Sequence, residues 1–151
     1  MLFIVFFYLL TLAFGKLRKV QLYVDSNYQP IDNYGLYPYK ETNNAYYLFL
    51  RKQSYQLIYD DQNKYIYYQT SSQKKYYFKL QNNILQLNAG NPQKVNIGGN
   101  GRLQFNGANK LYAVKNIGDP AGVSKKYYAV KYYNNPPKGA YKVKYVYAKY
   151  I

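Results

Sequence analysis

Apolar residues recur at every second position in short runs along most of this chain, and Gly, Asn, Asp and Pro separate the runs. This period matches a β-strand with one buried face, whereas an amphipathic helix needs apolar residues three and four positions apart. Tyr, Val, Ile and Phe dominate the runs and suit the pleated surface of a sheet. The pattern therefore predicts an all-β fold. The predicted strands span residues 20–24, 45–50, 56–59, 64–68, 76–80, 84–87, 94–97, 102–105, 111–115, 126–132 and 141–147.

Polar turns between the runs predict how neighbouring strands are connected. Residues 60–63 read Asp-Asp-Gln-Asn, and Asn-Gly pairs occupy positions 100–101 and 106–107. Because Asn and Gly tolerate the positive φ of tight turns, hairpins are predicted near residues 61, 82, 100 and 107. The architecture stays open between a compact β-trefoil, a β-barrel and a β-sandwich. Three units of about 45 residues favour the trefoil, but segments 57–68 and 85–97 align only as strand, polar turn and strand.

Residues 1–15 form an uncharged apolar run, with Ala13 and Gly15 placed as a signal peptidase requires. A membrane anchor is the alternative, but spanning a bilayer takes about 20 apolar residues, and Lys16 and Arg18 end the run early. We therefore predict a signal peptide at 1–15 and a single β-rich domain at 16–151. The protein is expected to be secreted, with no stable transmembrane segment after cleavage.

The residue types missing from the chain restrict its chemistry. It contains no Cys and no His, which removes disulfides, thiolate and imidazole metal ligands, and His-dependent nucleophilic catalysis. No metal and no cofactor are therefore expected. Carboxylate pairs such as Asp25 with Asp32, or Glu41 with Asp60, have no spacing that selects them for glycoside hydrolysis. These observations predict a protein without enzymatic activity.

An excess of positive charge is combined with an excess of tyrosine. The chain has 21 Lys and Arg against 6 Asp and Glu, a formal charge of +15, and 24 Tyr. Such a surface is typical of proteins that bind polyanions, although lysines also protect the solvated edges of sheets. In segment 141–147 the odd positions are predicted to share one strand face, opposite Lys142 and Lys144. The candidate binding residues are Lys126, Lys131, Lys138, Tyr141, Lys142, Lys144, Tyr145 and Lys149.

Several segments resemble the small secreted cell-wall proteins of budding yeasts. They are QLYVDS at 21–26, QLIYDD at 56–61, NNILQLNAG at 82–90, FNGANKLYAVKNIGDP at 105–120 and YYAV at 127–130. The resemblance implies a β-rich, mannoprotein-like wall component with no catalytic residues. Members of that family continue into a Ser/Thr-rich region and a lipid-anchor signal, which this chain does not show. Covalent attachment is therefore not expected: the protein would be retained in the wall noncovalently, by charge, or be released into the medium.

Charge, leader and resemblance together predict a secreted, non-enzymatic protein of the fungal cell wall. It is expected to associate with anionic wall polysaccharide, or neutral polysaccharide, through Lys and Tyr side chains. Nucleic acid is not an expected partner, because the protein is predicted to leave the cell. The alternative is a secreted basic toxin or antimicrobial effector that acts on anionic membranes. Oxidative cross-linking of tyrosines into the wall is a third possibility, and the oligomeric state stays open.

Overall fold

A computed structural model describes residues 16–151, and the predicted signal peptide at 1–15 lies outside these residues. The described part of the chain contains thirteen strands and two single-turn 3₁₀ helices, Gln29–Ile31 and Val123–Lys125. The strands are Leu17–Asp25 (β1), Gly35–Thr42 (β2), Ala45–Arg51 (β3), Gln56–Asp60 (β4), Tyr65–Gln69 (β5), Lys75–Gln81 (β6), Ile84–Asn88 (β7), Asn96–Ile97 (β8), Leu103–Gln104 (β9), Leu111–Val114 (β10), Ala129–Tyr132 (β11), Tyr141–Val143 (β12) and Tyr145–Tyr150 (β13). The all-β prediction is confirmed.

Six of these strands close a barrel. Antiparallel ladders join β1 to β4, β4 to β5, β8 to β9, and β13 back to β1. The Val95 N–H donates to the Lys64 carbonyl at 2.7 Å and links the β8 segment to the start of β5. A bridge between Arg102 and Tyr147 links β9 to β13. These two single links join the short β8–β9 ladder to the rest of the ring and complete the closure.

Three hairpins cover one end of this barrel. The hairpins are β2–β3, β6–β7 and β10–β11, and their second strands pair with one another: β3 with β7, β11 with β3, and β11 with β7. A six-stranded barrel with three mutually paired hairpins is the β-trefoil arrangement, one of the predicted alternatives. The same pairings also define a ring of eight strands, in the order β11, β3, β2, β1, β4, β5, β6 and β7.

The core lies inside the barrel and beneath the hairpins. Alternate residues of β1, Val20, Leu22 and Val24, are completely buried, and Phe49 and Phe78 are the largest of the fully buried side chains. Each fully buried side chain of this kind stabilises the fold by about 1.5–3 kcal/mol. With no Cys in the chain, this packing and the strand hydrogen bonds hold the domain together.

The last predicted strand, 141–147, is divided into two. Lys144 separates β12 from β13, and its N–H donates to the Asp25 carbonyl at 2.8 Å. β12 pairs with β10, whereas β13 pairs with β1. Val143 is buried in β12, but Val146 is buried in β13, so the inward side changes from odd to even positions. The predicted common face of the odd residues is therefore wrong.

Three further sequence predictions differ from the structure. Strand β2 was not predicted, because Pro38 and polar residues interrupt its apolar pattern. The strand predicted at 126–132 begins only at Ala129, since the 3₁₀ helix Val123–Lys125 precedes it. Asn106 and Gly107 form a turn, but the strands on either side, β9 and β10, pair with other strands. The hairpins predicted near 61, 82 and 100 are confirmed as β4–β5, β6–β7 and β8–β9.

Candidate polyanion-binding site

The carboxylates of this protein are occupied by its own backbone and loops. Asp60 accepts the N–H groups of Gln62 and Asn63, both at 3.1 Å, which fixes the β4–β5 turn. Of the residues described, only Lys144 and Asp25 form an ion pair, with Nζ 3.7 Å from Oδ2. The other backbone N–H groups that bind carboxylates are Ser26 to Asp32, Ala121 to Glu41, Lys16 to Asp61, and Val123 and Ser124 to Asp119. Few acids are therefore left to neutralise the 21 Lys and Arg.

Tyrosine rings, and not acids, are the main contacts of the cations. The side chains that lie over Tyr rings are Arg18, Arg51, Lys74, Lys75, Arg102, Lys115, Lys126, Lys131, Lys142 and Lys149. A ring attracts the cation through its quadrupole, worth about 0.5–1 kcal/mol at an exposed site, and carries no net charge. These contacts orient the cations while leaving the positive charge available to a ligand.

The outer face of β10–β11–β12 carries a compact cationic cluster, here called the basic patch: Lys110, Tyr112, Lys131, Tyr133 and Lys142. Tyr112 of the central strand pairs in register with Lys131 on one side and with Lys142 on the other. The Lys142 ammonium lies 4.8 Å from the Tyr112 ring centre, and the Lys131 ammonium lies 5.2 Å from that of Tyr133. The two rings are 6.2 Å apart, so they join both lysines into one surface.

The basic patch holds like charges close together. Burial, with the nearby Lys110 charge, lowers the pKa of the Lys142 ammonium below its usual value. Lys142 also donates to the Asn109 carbonyl, and Lys110 donates to Asn134 Oδ1 at 2.9 Å. Within residues 16–151 no carboxylate forms an ion pair with a lysine of the patch. An anionic ligand would relieve this repulsion between like charges.

The structure brings only two of the predicted binding residues, Lys131 and Lys142, into the basic patch. Lys126 lies beyond the 3₁₀ helix at residues 123–125 and covers the Tyr127 ring, with Nζ 5.3 Å from its centre. Lys138 is exposed in the loop before β12. Lys144 is paired with Asp25. These three lysines do not join the patch.

The remaining predicted residues lie on other surfaces. Tyr141 stacks on Tyr28, with ring centres 3.6 Å apart, and is packed against the core. Tyr145 lies beneath the Arg102 guanidinium, whose carbon is 3.8 Å from the ring centre. Lys149 extends over the Tyr23 ring of β1. The three residues therefore belong to the β1–β13 side of the barrel or to the packing beside it.

Sequence reasoning missed Lys110, Tyr112 and Tyr133. The available signal is the alternation in β10, where buried Leu111 and Ala113 flank Tyr112, so that Tyr112 must face outward. That signal identifies an outward ring, but the lysines beside it come from strands about twenty and thirty positions further along the chain.

A second set of aromatic side chains, also missed, surrounds Arg51. Its guanidinium carbon lies 5.2 Å from the Tyr37 ring centre and 5.1 Å from that of Tyr127, and Nη1 donates to Tyr39 Oη at 2.6 Å. The Tyr37 ring also packs edge-to-face against the Tyr55 ring, with the ring centres 5.3 Å apart. All four rings are partly buried, so this cluster packs the outside of the first hairpin.

Glu41 and Asp119 form an acidic pair that joins the first and third hairpins. Glu41 Oε1 accepts the Ala121 N–H at 2.7 Å, while its Oε2 is buried and has no donor within the described residues. Burial raises the pKa of Glu41 from 4.5 to about 7; the Ala121 N–H lowers it in part, and the Asp119 carboxylate raises it further. Asp119 has a lowered pKa: although burial alone would raise it, hydrogen bonds from the Ser124 hydroxyl and from the Ser124 and Val123 N–H groups, together with the neighbouring Glu41 carboxyl, outweigh that effect.

We expect this pair to make stability depend on pH. The folded protein holds a proton on Glu41 that the unfolded chain has released, so stability is full below about pH 4.5 and is lost as pH rises towards 7. The loss is expected to reach roughly 1–2 kcal/mol, because partial exposure screens the interaction. Urea unfolding at pH 5 and pH 8 measures it. Glu41→Gln should show a smaller loss than the wild type, and an equal loss in both proteins would contradict the assignment.

Residues 16–151 contain no group of three or more His, Cys, Asp or Glu side chains placed to hold a metal ion. Among the helices of the same residues, none is long and apolar enough to cross a membrane.

Comparison with known proteins shows that this domain is similar in sequence to fungal cell wall proteins. It is 34% identical over 122 residues to the cell wall protein RHD3 of Candida albicans, which covers 78% of this chain and 60% of that protein. The cell wall protein PGA31 of the same organism is 34% identical over 124 residues, covering 78% of this chain and 42% of the relative. The cell wall protein PGA30 of the same organism is 32% identical over 122 residues, covering 78% of this chain and 44% of the relative. No family model and no solved structure matches the chain.

The chain is therefore a homologue of fungal cell wall proteins, and it spans about half the length of the curated relatives it matches. The predicted resemblance to secreted, mannoprotein-like wall proteins of budding yeasts is confirmed. The predicted localisation, secreted and in the cell wall, is confirmed with it.

Proposed function

We propose that this protein is a noncatalytic wall component that binds anionic wall polysaccharide through the basic patch. The observation that carries the proposal is the row Lys131–Tyr112–Lys142, which crosses three neighbouring strands without an ion-paired carboxylate among the residues described. A rigid sheet holds the row, so little side-chain and backbone freedom is lost when a ligand binds. Charge provides the attraction, and the rings provide flat faces for sugar rings.

The proposal that the protein is noncatalytic rests on the structural contacts of its carboxylates. Asp25 is paired with Lys144, and Asp60 holds its own turn. Asp32 accepts the Ser26 N–H at 2.9 Å, and Glu41 accepts that of Ala121. The carboxylates with the best prospects for glycoside chemistry are thus committed to structural hydrogen bonds, which supports a binding role over hydrolysis.

Salt extraction of isolated walls tests the proposal directly. Binding driven by charge falls steeply as counterions compete, so the protein should stay on walls at about 50 mM salt and be released by about 1 M salt. Retention that is unchanged at about 1 M, or no retention at low salt, would contradict it. Dye release from anionic vesicles at the same protein concentration would instead favour the membrane-active alternative.

A further inference from the structure

Beside the basic patch lies a cleft of about 240 Å³ that no charged side chain lines. Its walls come from the β6–β7 turn, the loop before β8 and the turn after β9, with β11 beside them. The lining side chains are those of Leu80, Asn82, Asn83, Gln93, Asn106 and Tyr132. Four of the six carry carboxamides.

Three of these carboxamides have no hydrogen-bond partner within residues 16–151: Asn82, Asn83 and Asn106. All three are exposed. The turn explains why Asn occupies positions 82 and 83, since Asn tolerates their positive φ values of 52° and 62°. Among the described residues, the turn forms no hydrogen bonds with their side-chain amides. Each amide supplies two donors and a carbonyl acceptor, so the rim offers many groups to a polyhydroxylated ligand.

The floor of the cleft is apolar. Leu80 and the Tyr132 ring meet at Gly107, where an added Cβ would lie 2.6 Å from Leu80 Cδ2 and 3.3 Å from Tyr132 Cδ2. Gly107 has φ +94°, a conformation that strongly favours glycine. An aromatic and aliphatic floor below an amide rim matches a pyranose ring, which has an apolar C–H face and hydroxyls around its edge.

The cleft is joined to the basic patch by hydrogen bonds. The Tyr132 hydroxyl donates to Asn134 Oδ1 at 3.2 Å, and the Lys110 ammonium donates to the same oxygen at 2.9 Å. One polysaccharide can therefore contact both surfaces, with a neutral sugar in the cleft and an anionic group at the lysines.

From this arrangement we infer that the cleft is a binding subsite for a neutral hexopyranose unit. The subsite itself stands on the cleft alone, and only its role as part of a longer anionic ligand rests on the proposed function. The subsite would let the protein distinguish between polyanions of equal charge density. Only a polyanion with a neutral sugar close to its anionic group could occupy the cleft and the basic patch together.

Side-chain amide NMR spectra of the full protein test the subsite, with mannotriose and laminaritriose as neutral probes. At least one probe should shift the amide signals of Asn82, Asn83 and Asn106 saturably. The variant Asn82→Gly/Asn83→Gly/Asn106→Ala removes three carboxamides, and glycine keeps the positive φ of the turn. It should bind the probe at least about 10-fold more weakly.

Asn116→Gly is the matched control, since Asn116 also has positive φ, 56°, and lies outside the cleft. It should bind as the wild type does. No saturable shift in the wild-type amides with either probe, or equal affinity in the triple variant, would overturn the inference. Replacing the patch lysines by Gln should leave neutral-probe binding intact, so failure of the subsite and failure of the proposed function give different results.

Discussion

Replacing Lys110, Lys131 and Lys142 together by Gln should weaken binding to dextran sulfate roughly 30-fold at about 50 mM salt. Lys131 and Lys142 lie over the rings of the basic patch and the Lys110 charge lies near Lys142, so each ammonium group would displace a counterion from an acidic polymer. The slope of log affinity against log salt should become shallower by about two to three. Titrations at several salt concentrations measure both quantities, and retention on isolated walls should fall in parallel.

A matched variant separates the patch from the total charge. Lys40, Lys52 and Lys94 are exposed and lie on separate segments, so Lys40→Gln/Lys52→Gln/Lys94→Gln removes the same charge from scattered positions. The affinity of this variant should fall by no more than about 3-fold, because only the long-range attraction due to the net charge is reduced. Equal losses in the two triple variants would show that the charge acts as a whole and that the patch has no special role.

The fold was largely predictable because it follows from local pattern and turn chemistry. Alternation identified most strands, and the turns at residues 60–63, 82–83 and 98–102 closed the predicted hairpins. The comparison of segments 57–68 and 85–97 was weak for a reason now visible. The first spans β4 and β5, whereas the second spans β7 and β8, so strands with different places in the trefoil were compared.

The site was predictable only in part, because it depends on pairing between distant strands. Lys131 and Lys142 were predicted as binding residues because they lie in the segment rich in Lys and Tyr. Neither is close to Tyr112 in sequence. The pairing of β10 with β11 and with β12 places both lysines beside Tyr112. The change of inward side at Lys144 also escaped prediction. It follows from the bond of Lys144 N–H to the Asp25 carbonyl, a contact 119 positions away in sequence that no local pattern records.

Tyrosine rings order the cations that the few acids leave without an ion pair in residues 16–151. In a chain with 21 cations and 6 carboxylates, the carboxylates hold turns and loops, and rings take over the ordering of Lys and Arg. Rings pack against one another as well, as Tyr37 does against Tyr55. Tyrosine therefore stabilises the outer faces of the sheet without reducing the net charge on which the proposed binding depends.

Gly35→Ala should destabilise the domain by about 3 kcal/mol or more. Gly35 begins β2, and an added Cβ would lie 2.6 Å from both Cα and N of Ser54. These are backbone atoms, and the Ser54 side chain is also fixed: its Oγ accepts the Leu22 N–H at 3.1 Å and donates to the Leu22 carbonyl at 2.8 Å. Relief of the clash must displace this buried contact between the β3–β4 loop and β1.

Thermal unfolding measures the effect of Gly35→Ala, with Gly99→Ala as its control. Nothing lies within 4 Å of a Cβ built on Gly99, which is exposed, so that variant should unfold within about 2 °C of the wild type. For Gly35→Ala the midpoint should fall by roughly 10 °C, because a domain of this size loses about 3–5 °C for each kcal/mol. Similar midpoints for the two variants would mean that Ser54 can move freely, and that the junction of barrel and first hairpin is not held by this close approach.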